Sequence, residues 1–493
     1  MQTEITDYAE FITNCDTLIR TGRLPHVVET LSDLNLARVP RKWRQAVAKL
    51  CRRAGLMAQG LRLLHPLIRG DQDLSSPPSP GEICEYAVLL SRIGSIDEAL
   101  NLLTGVDSSS AHEAMMYQGF CHVSKWDYER ASGYFESYLE SSADIYSKLI
   151  ARVNLSACYI SSERLADAET LLSETIEIAT REQASRLIGN CYELRSQIPL
   201  QQGDYARARE DLARAVSVFG GGRSYDQLLI YKWQSLIEAE ESRDPQPLLK
   251  FKAEAIERQH WESVREADLF TLRLKFDQKA FDHLIFGTPT HSYRDRILRK
   301  LPHQPSENYI LGAPNTNCLN LESGKLEAGH SSVPGIKIHQ VLTALTRDFY
   351  APRTLGSLFS ELYPDEYFNI DSSPVRVRQL LSRTRRWLEE NHLVATIDQN
   401  QGSYRLHVGD SFGILLPFER PRIESNTILF EILQKRFSEP ARFSVQDACA
   451  ILSLSRSSFH RFAEWAVNEG FIERFGQGKS TRYAILRSKT KAA

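Results

Sequence analysis

Two short stretches carry the side chains best suited to chemistry, and in both that chemistry is the recognition of anions. From Pro374 to Asn391 the chain reads PVRVRQLLSRTRRWLEEN, in which Val377, Leu381, Thr384 and Leu388 recur at helical spacing and form one buried stripe. Arg376, Gln379, Ser382, Arg383 and Arg386 fall opposite that stripe, and Arg378 and Arg385 flank it. A guanidinium is a planar fork of donors that matches phosphate oxygens and the acceptor edge of guanine. The second stretch, Ser455-Arg456-Ser457-Ser458-Phe459-His460-Arg461, sets hydroxyls and arginines at a helix start. There free backbone N–H groups add to the attraction for phosphate.

Other chemistries lack their residues. No Gly-x-Ser-x-Gly or His-Glu-x-x-His occurs, and the histidines are isolated, so no enzyme is expected. Gly476-Gln-Gly-Lys-Ser480 echoes a phosphate-binding loop, but Glu473 stands where its first glycine belongs, and a helix precedes it where a strand is needed. The eight cysteines form no Cys-x-x-Cys pair, and neither a metal site nor a cofactor is expected.

The elements around the arginines repeat one order. Helices are predicted at about 335–346 and 354–362, then the arginine-rich helix, then strands at 393–397 and 403–408 with the polar tip 398–402 between them. Helix, helix, helix, hairpin is the order of a winged helix-turn-helix. A second copy is predicted from about 426 to 485. It comprises a helix over 427–437, a shorter one opened by Ser444, a third over 456–469 burying Phe459, Phe462 or Ala463, and Ala466, and a hairpin 472–485. On that hairpin Arg474, Lys479 and Arg482 are placed to reach DNA backbone or minor groove.

The first copy resembles the OmpR/ToxR-type effector domain. That family's hairpin ends in a Gly-Tyr-Arg-aliphatic motif, present here as Gly402-Ser-Tyr404-Arg-Leu406, and Cys318–Glu327 is similar to its small leading sheet. The chain departs from the family in a longer hairpin, in the extra residue after Gly402, and in Thr384 at a position usually leucine. The resemblance implies duplex DNA as partner, with Gln399 and Tyr404 of the wing among its contacts, and RNA polymerase as a contact of the loop 363–373.

The first 285 residues have a different rhythm. YERASGYFESYL (128–139), LADAETLLSETI (165–176) and GDYARAREDLARAV (203–216) are versions of one helix. Val27, Gly60, Ala99, Ala131, Ala168, Ala208 and Leu248 are equivalent points, spaced 32 to 40 residues apart, which brackets the period of a tetratricopeptide repeat. Gly22, Gly55, Gly94 and Gly203 each lie five before such a point, at the turn between paired helices, and Gly119 lies twelve before Ala131. This half resembles a tetratricopeptide-repeat (TPR) solenoid of about seven units, with an eighth over 261–284. Such repeats offer a concave surface to a peptide or protein, with Tyr117, Asn154, Asn190, Tyr231 and Trp233 as candidates on the first helices. Six cysteines (15, 51, 84, 121, 158 and 191) recur every 33 to 37 residues on those first helices, as thiols packed between helices or, alternatively, as redox sensors.

Charge divides along the chain. Residues 1–330 carry an acidic excess of seven and residues 331–493 a basic excess of five, which together give the net charge of −2. That asymmetry favours a nucleic-acid partner at the basic end. No apolar run approaches the length of a membrane span and MQTEITDYAE is no signal peptide, so a cytoplasmic chain of bacterial type is expected, with no membrane partner.

The fold class expected is therefore mostly α: a TPR-like α-solenoid followed by two α+β winged-helix domains. The boundaries are 1–285 for the repeats, 286–332 for a linker and leading sheet, 333–408 and 426–493 for the winged helices, and 409–425 for a linker. Within 286–332 the basic segment HSYRDRILRKLPH reads as a solvated face. The function expected is sequence-specific binding of double-stranded DNA in transcription regulation, with the solenoid receiving a protein, peptide or other signal or mediating self-association as a homodimer. The alternative is a non-catalytic scaffold that uses repeats and winged helices for protein contacts.

Overall fold

The structure, a computed structural model, describes residues 5, 7–20, 23–70, 77–142, 144–220, 222, 224–313, 317–322, 324–326, 334–418, 429–430, 433–434, 436–437, 442–452, 456–476 and 481–486. These form two compact units, one of residues 1–306, 344–379 and 397–407, the other of 307–343, 380–396 and 408–493.

From Tyr8 to Phe286 helices follow one another in pairs. They are α1 (Tyr8–Arg20) with α2 (Leu24–Ser32), α3 (Arg41–Arg53) with α4 (Met57–Ile68), α5 (Pro80–Arg92) with α6 (Ile96–Thr104), and α7 (Glu113–Ser124) with α8 (Tyr128–Ser141). Then come α9 (Ile145–Ser161) with α10 (Leu165–Arg181), α11 (Ser185–Gln202) with α12 (Tyr205–Phe219), α13 (Tyr225–Ser242) with α14 (Gln246–Glu257), and α15 (Trp261–Leu274) with α16 (Gln278–Phe286). From α3 onward each helix packs on the next, and α1 packs on both α2 and α3, so this part is a TPR-like stack.

The reason lies at the equivalent points of the repeat. Val27, Ala99, Ala131, Ala168, Ala208 and Leu248 are 0% exposed, each near the start of a second helix, where the first helix crosses close by. Gly60 shows how close: a Cβ there would lie 2.9 Å from the Leu89 methyls. The turn into most of the second helices uses one left-handed residue, supplied by Gly55, Gly94 and Gly203 and, without glycine, by Trp126, Glu163 and Arg243. Gly22 lies outside the described residues. The six repeating cysteines are all buried. Burial pushes Cys51, Cys84, Cys158 and Cys191 up to about 12 and Cys121 up to about 11. A thiol so far from ionisation is packing material, and the redox alternative loses its nucleophile.

Helix α17 (His291–Lys300) departs from the expected solvated face. Tyr293 and Ile297 are fully buried, the Tyr293 ring meets Trp126 with centroids 4.0 Å apart, and Lys300 lies 3.9 Å from Glu163. A basic stretch was legible, but its apolar i, i+4 pair faces the repeats.

Beyond Glu307 strands appear: β1 (Asn308–Gly312), β2 (Asn317–Asn320) and β3 (Lys325–Leu326). Next come α18 (Ile336–Leu345), β4 (Arg353–Thr354), α19 (Leu355–Leu362), α20 (Ser373–Glu390), β5 (Ala395–Asn400), β6 (Ser403–Val408) and β7 (Phe412–Pro417). The last elements are β8 (Arg442–Ser444), α21 (Val445–Leu452), α22 (Arg456–Asn468), β9 (Ile472–Phe475) and β10 (Arg482–Ile485). One sheet has the order β4-β6-β5 and another β8-β10-β9. Each is a short strand before the middle helix plus a hairpin after the last, the winged-helix arrangement written twice. The Thr427–Phe437 helix falls partly outside the described residues, though Leu429, Phe430 and Leu433 join the second core with Phe459, Phe462, Ala463 and Ala466.

The stretch read as a linker from 409 to 425 carries a strand instead. β7 is central in the sheet β1-β7-β2-β3, antiparallel to β1 and parallel to β2. FGILLP is a short apolar run that buries Phe412, Ile414 and Leu416, and its partner β1 is about a hundred residues away in sequence.

Two glycines of one repeat should respond oppositely to alanine. A Cβ on Gly119 would lie 2.7 Å from the Phe135 ring, whereas Gly133 is exposed with open space around it. Gly119→Ala should cost about 1–3 kcal/mol, and Gly133→Ala should stabilise by about 0.5–1 kcal/mol by lowering backbone entropy in a helix. Thermal unfolding of the two variants checks the pair.

Candidate nucleic-acid interface

The stripe that orients α20 is buried as its spacing requires, with Val377, Leu381, Thr384 and Leu388 at 0–1% exposure. Thr384 is tolerated because its hydroxyl donates to the Leu380 carbonyl at 2.9 Å. Opposite the stripe, Arg378, Gln379, Ser382, Arg383 and Arg386 are exposed. Arg378, Arg383 and Arg386 pair with no carboxylate among the described residues. Arg23, Arg92 and Arg181 on the repeats are likewise exposed without a carboxylate partner among the described residues, but many arginines there are matched. On the repeats Arg52 holds Glu85 at 2.6 Å, Arg195 holds Asp211 at 2.6 Å, and Arg53, Arg152, Arg207 and Arg209 are also matched to acids.

Two expected contacts need correction. Arg376 is engaged within its own module: its guanidinium donates to both oxygens of Glu366, at 2.5 and 2.9 Å, and lies 3.9 Å from the Tyr363 ring centre. Reaching a phosphate would require giving up a bidentate pair. Tyr404 is 1% exposed and its enclosed hydroxyl has no partner, so it is a core residue. Its place was legible, since Tyr404 and Leu406 alternate onto the buried face of β6.

Gln399 is exposed on β5. The expected five-residue tip is tighter than predicted, because the strands run on to Asn400 and only Gln401 (φ +47°) and Gly402 (φ +80°) turn the chain. Two successive left-handed residues make the two-residue hairpin turn that matches strand twist.

In the second module Arg456, His460 and Arg461 are exposed on α22, and Arg474 and Arg482 are exposed on the hairpin. Ser457 and Ser458 lie in α22, while Ser455 and Lys479 lie outside the described residues. Arg442 was not singled out in the sequence. It stacks on Phe475 at 4.1 Å.

A contact set that the sequence did not disclose joins the first module to the repeats. The Thr354 hydroxyl donates to the Ile93 carbonyl at 2.7 Å, and the Phe368 N–H donates to Glu98 at 2.9 Å. The Arg69 guanidinium covers the Tyr367 ring at 3.6 Å, and Arg62 reaches Asp371 at 3.0 Å. His65 meets Asn369 at 3.0 Å, and burial lowers its pKa first, with Arg69 adding to the effect. The loop that the family resemblance assigned to RNA polymerase is thus committed to α4 and α6.

Gly356 is indispensable here, because a Cβ would lie 2.3 Å from the Ile93 carbonyl oxygen. Gly356→Ala should loosen this contact, and hydrogen exchange should speed up at 93–98 and 354–372 while α11 to α14 keep their protection.

A scan against models of protein families finds no match, and a search of curated proteins finds none at the threshold applied. Among solved structures the chain is similar to a tetratricopeptide repeat protein from Parabacteroides merdae, with 15% identity and a TM-score of 0.33 over 60% of this chain and 99% of that one. It is also similar to the C-terminal part of a TPR repeat-containing protein from Cytophaga hutchinsonii, with 13% identity and a TM-score of 0.31 over 55% of this chain and 98% of that one.

Proposed function

We propose that the chain is a sequence-specific double-stranded DNA-binding transcription regulator whose TPR-like repeats receive a protein, peptide or small-molecule signal. One observation carries the reading. Arg378, Arg383 and Arg386 stand exposed beside Gln379 and Ser382 on the last helix of a winged-helix arrangement, with no carboxylate partner among the described residues. Such a helix enters the major groove, where arginine and glutamine make paired hydrogen bonds to guanine and adenine. Phosphate contacts by the arginines supply affinity and its salt dependence. Arg456, His460, Arg461, Arg474 and Arg482 give the second module a similar surface, so a site longer than one winged helix covers is expected. RNA polymerase contact through 363–373 would require that loop to leave α4 and α6.

The scaffold reading draws support from those same loop contacts, in which the 363–373 loop packs on α4 and α6 of the same chain. DNA binding separates the two. Selection of the full chain on random duplexes should enrich one motif. Arg383→Ala with Arg386→Ala should then lower affinity by about 1–3 kcal/mol for each base no longer read. The slope of log K against log salt should fall by about 2 if both arginines touch phosphate, with thermal unfolding unchanged because both are exposed. Absence of any enriched motif would favour the scaffold.

A further inference from the structure

Buried polar atoms without partners gather around the start of α15. His260 Nδ1, Glu262 Oε2, Ser263 Oγ and Arg265 Nε, together with the Tyr293 hydroxyl on α17, are enclosed and make no hydrogen bond. Each such group costs about 1–3 kcal/mol if nothing satisfies it, so their concentration in one place is a property of the site.

The same neighbourhood is rich in charge. Carboxylates come from Glu193 on α11, Glu262 and Glu266 on α15, and Asp348; cations come from Lys232 on α13, Arg265 on α15 and Arg296 on α17. Two of the acids have a cation of their own, Glu266 with Lys232 at 2.7 Å and Asp348 with Arg265 at 2.8 and 2.9 Å. Glu193 is satisfied by neutral donors, Trp233 at 2.5 Å and Gln197 at 3.1 Å. Glu262 is left over: its Oε2 is 3.5 Å from Arg265 without a hydrogen bond, while the side chain as a whole is 43% exposed. Oε2 is thus turned inward while the rest of the Glu262 side chain is open to solvent. Beside it stands an aromatic wall. The Tyr225 ring is 55% exposed, meets His260 edge-on at 4.8 Å, and lies within electrostatic reach of Glu193, Glu266 and Glu262.

We propose that this cluster binds an organic cation, an ammonium or guanidinium group seated against the Tyr225 ring and the Glu262 carboxylate. An aromatic face with a carboxylate is the pairing that recognises such groups. A bare metal ion fits less well, since no group of three metal-ligating side chains occurs among the described residues. The inference deepens the reading of the repeats as the signal-receiving part and is independent of DNA binding.

Binding should follow pH. Burial pushes Glu262 up to about 7, Arg265 opposes the shift, and Asp348 and Glu266 reinforce it. His260 is held below its usual range by burial and then by Lys232, with Glu266 opposing. The raised folded-state value means that the folded chain holds this proton more tightly than the unfolded one, and stability contributed here is lost as pH rises from about 4.5 through about 7. A bound cation reverses that loss by favouring the ionised form.

The test is calorimetric titration of the full chain with agmatine and with a blocked tripeptide carrying one arginine, at pH about 6 and about 8. At least one probe should bind, about tenfold more tightly at the higher pH. Heat from agmatine alone assigns a free small molecule, and heat from the tripeptide as well assigns an arginine side chain of a partner. Glu262→Gln should weaken binding about tenfold or more and abolish the pH dependence while leaving the melting temperature equal or higher, and Tyr225→Ala should weaken binding several-fold. Failure of both probes, or binding indifferent to Glu262→Gln, overturns the proposal. Duplex binding by the same preparations reports separately on the DNA reading.

Discussion

The first winged-helix arrangement owes its attachment to the repeats to two charges buried together. Arg265 is 1% exposed on α15 and donates to both oxygens of Asp348, which lies between α18 and β4. Asp348 also accepts the backbone N–H groups of Tyr350 and Ala351 at 2.8 and 2.9 Å, which folds the turn about its carboxylate. The Tyr350 hydroxyl then donates to Asp268 at 2.8 Å, and Asp268 takes Lys252 at 2.5 Å. Such a pair adds little net stability over an apolar contact of the same shape, but removing one member costs about 3–5 kcal/mol because the other is left buried and unmatched. Its effect is therefore positional: it fixes which turn meets which helix.

The α6–α19 contact serves the same end by different means. There the chain uses close backbone approach, with Gly94 and Gly356 admitting each other's neighbours and Thr354 capping α19 while its hydroxyl reaches Ile93. One attachment depends on charge and the other on the absence of side chains. Both lie in one compact unit with the repeats, so residues 344–379 belong physically to the solenoid although their sequence pattern belongs to a winged helix.

That discrepancy shows what the sequence discloses. Period survives in sequence: the Val377 to Leu388 stripe, the small residues at helix crossings and the Phe459 to Ala466 face of α22 were all readable, because each is set by neighbours within one helix or one repeat. Pairing across long separations was not. β7 reads as a linker until β1 and β2 flank it, α17 reads as a solvated basic patch until Trp126 meets Tyr293, and Arg376 reads as a free guanidinium until Glu366 is seen beneath it. Tyr404 is a different kind of miss, since strand alternation already put it on the same side as Leu406, and a family motif outweighed the simpler pattern.

Charge pairing is the property least visible in sequence and most informative in the fold. Arginine and acid are abundant throughout, and on the repeats many of them meet one another, while on α20 Arg378, Arg383 and Arg386 meet no carboxylate among the described residues. Basic residues near a helix N-terminus also oppose its dipole, at about 0.3–1 kcal/mol each at low salt, and Arg376 and Arg378 stand in the first turns of α20. Glu366 offsets this for Arg376; for Arg378 the fold supplies nothing. At the positive pole of a helix, a guanidinium group that meets no carboxylate among the described residues adds no stability.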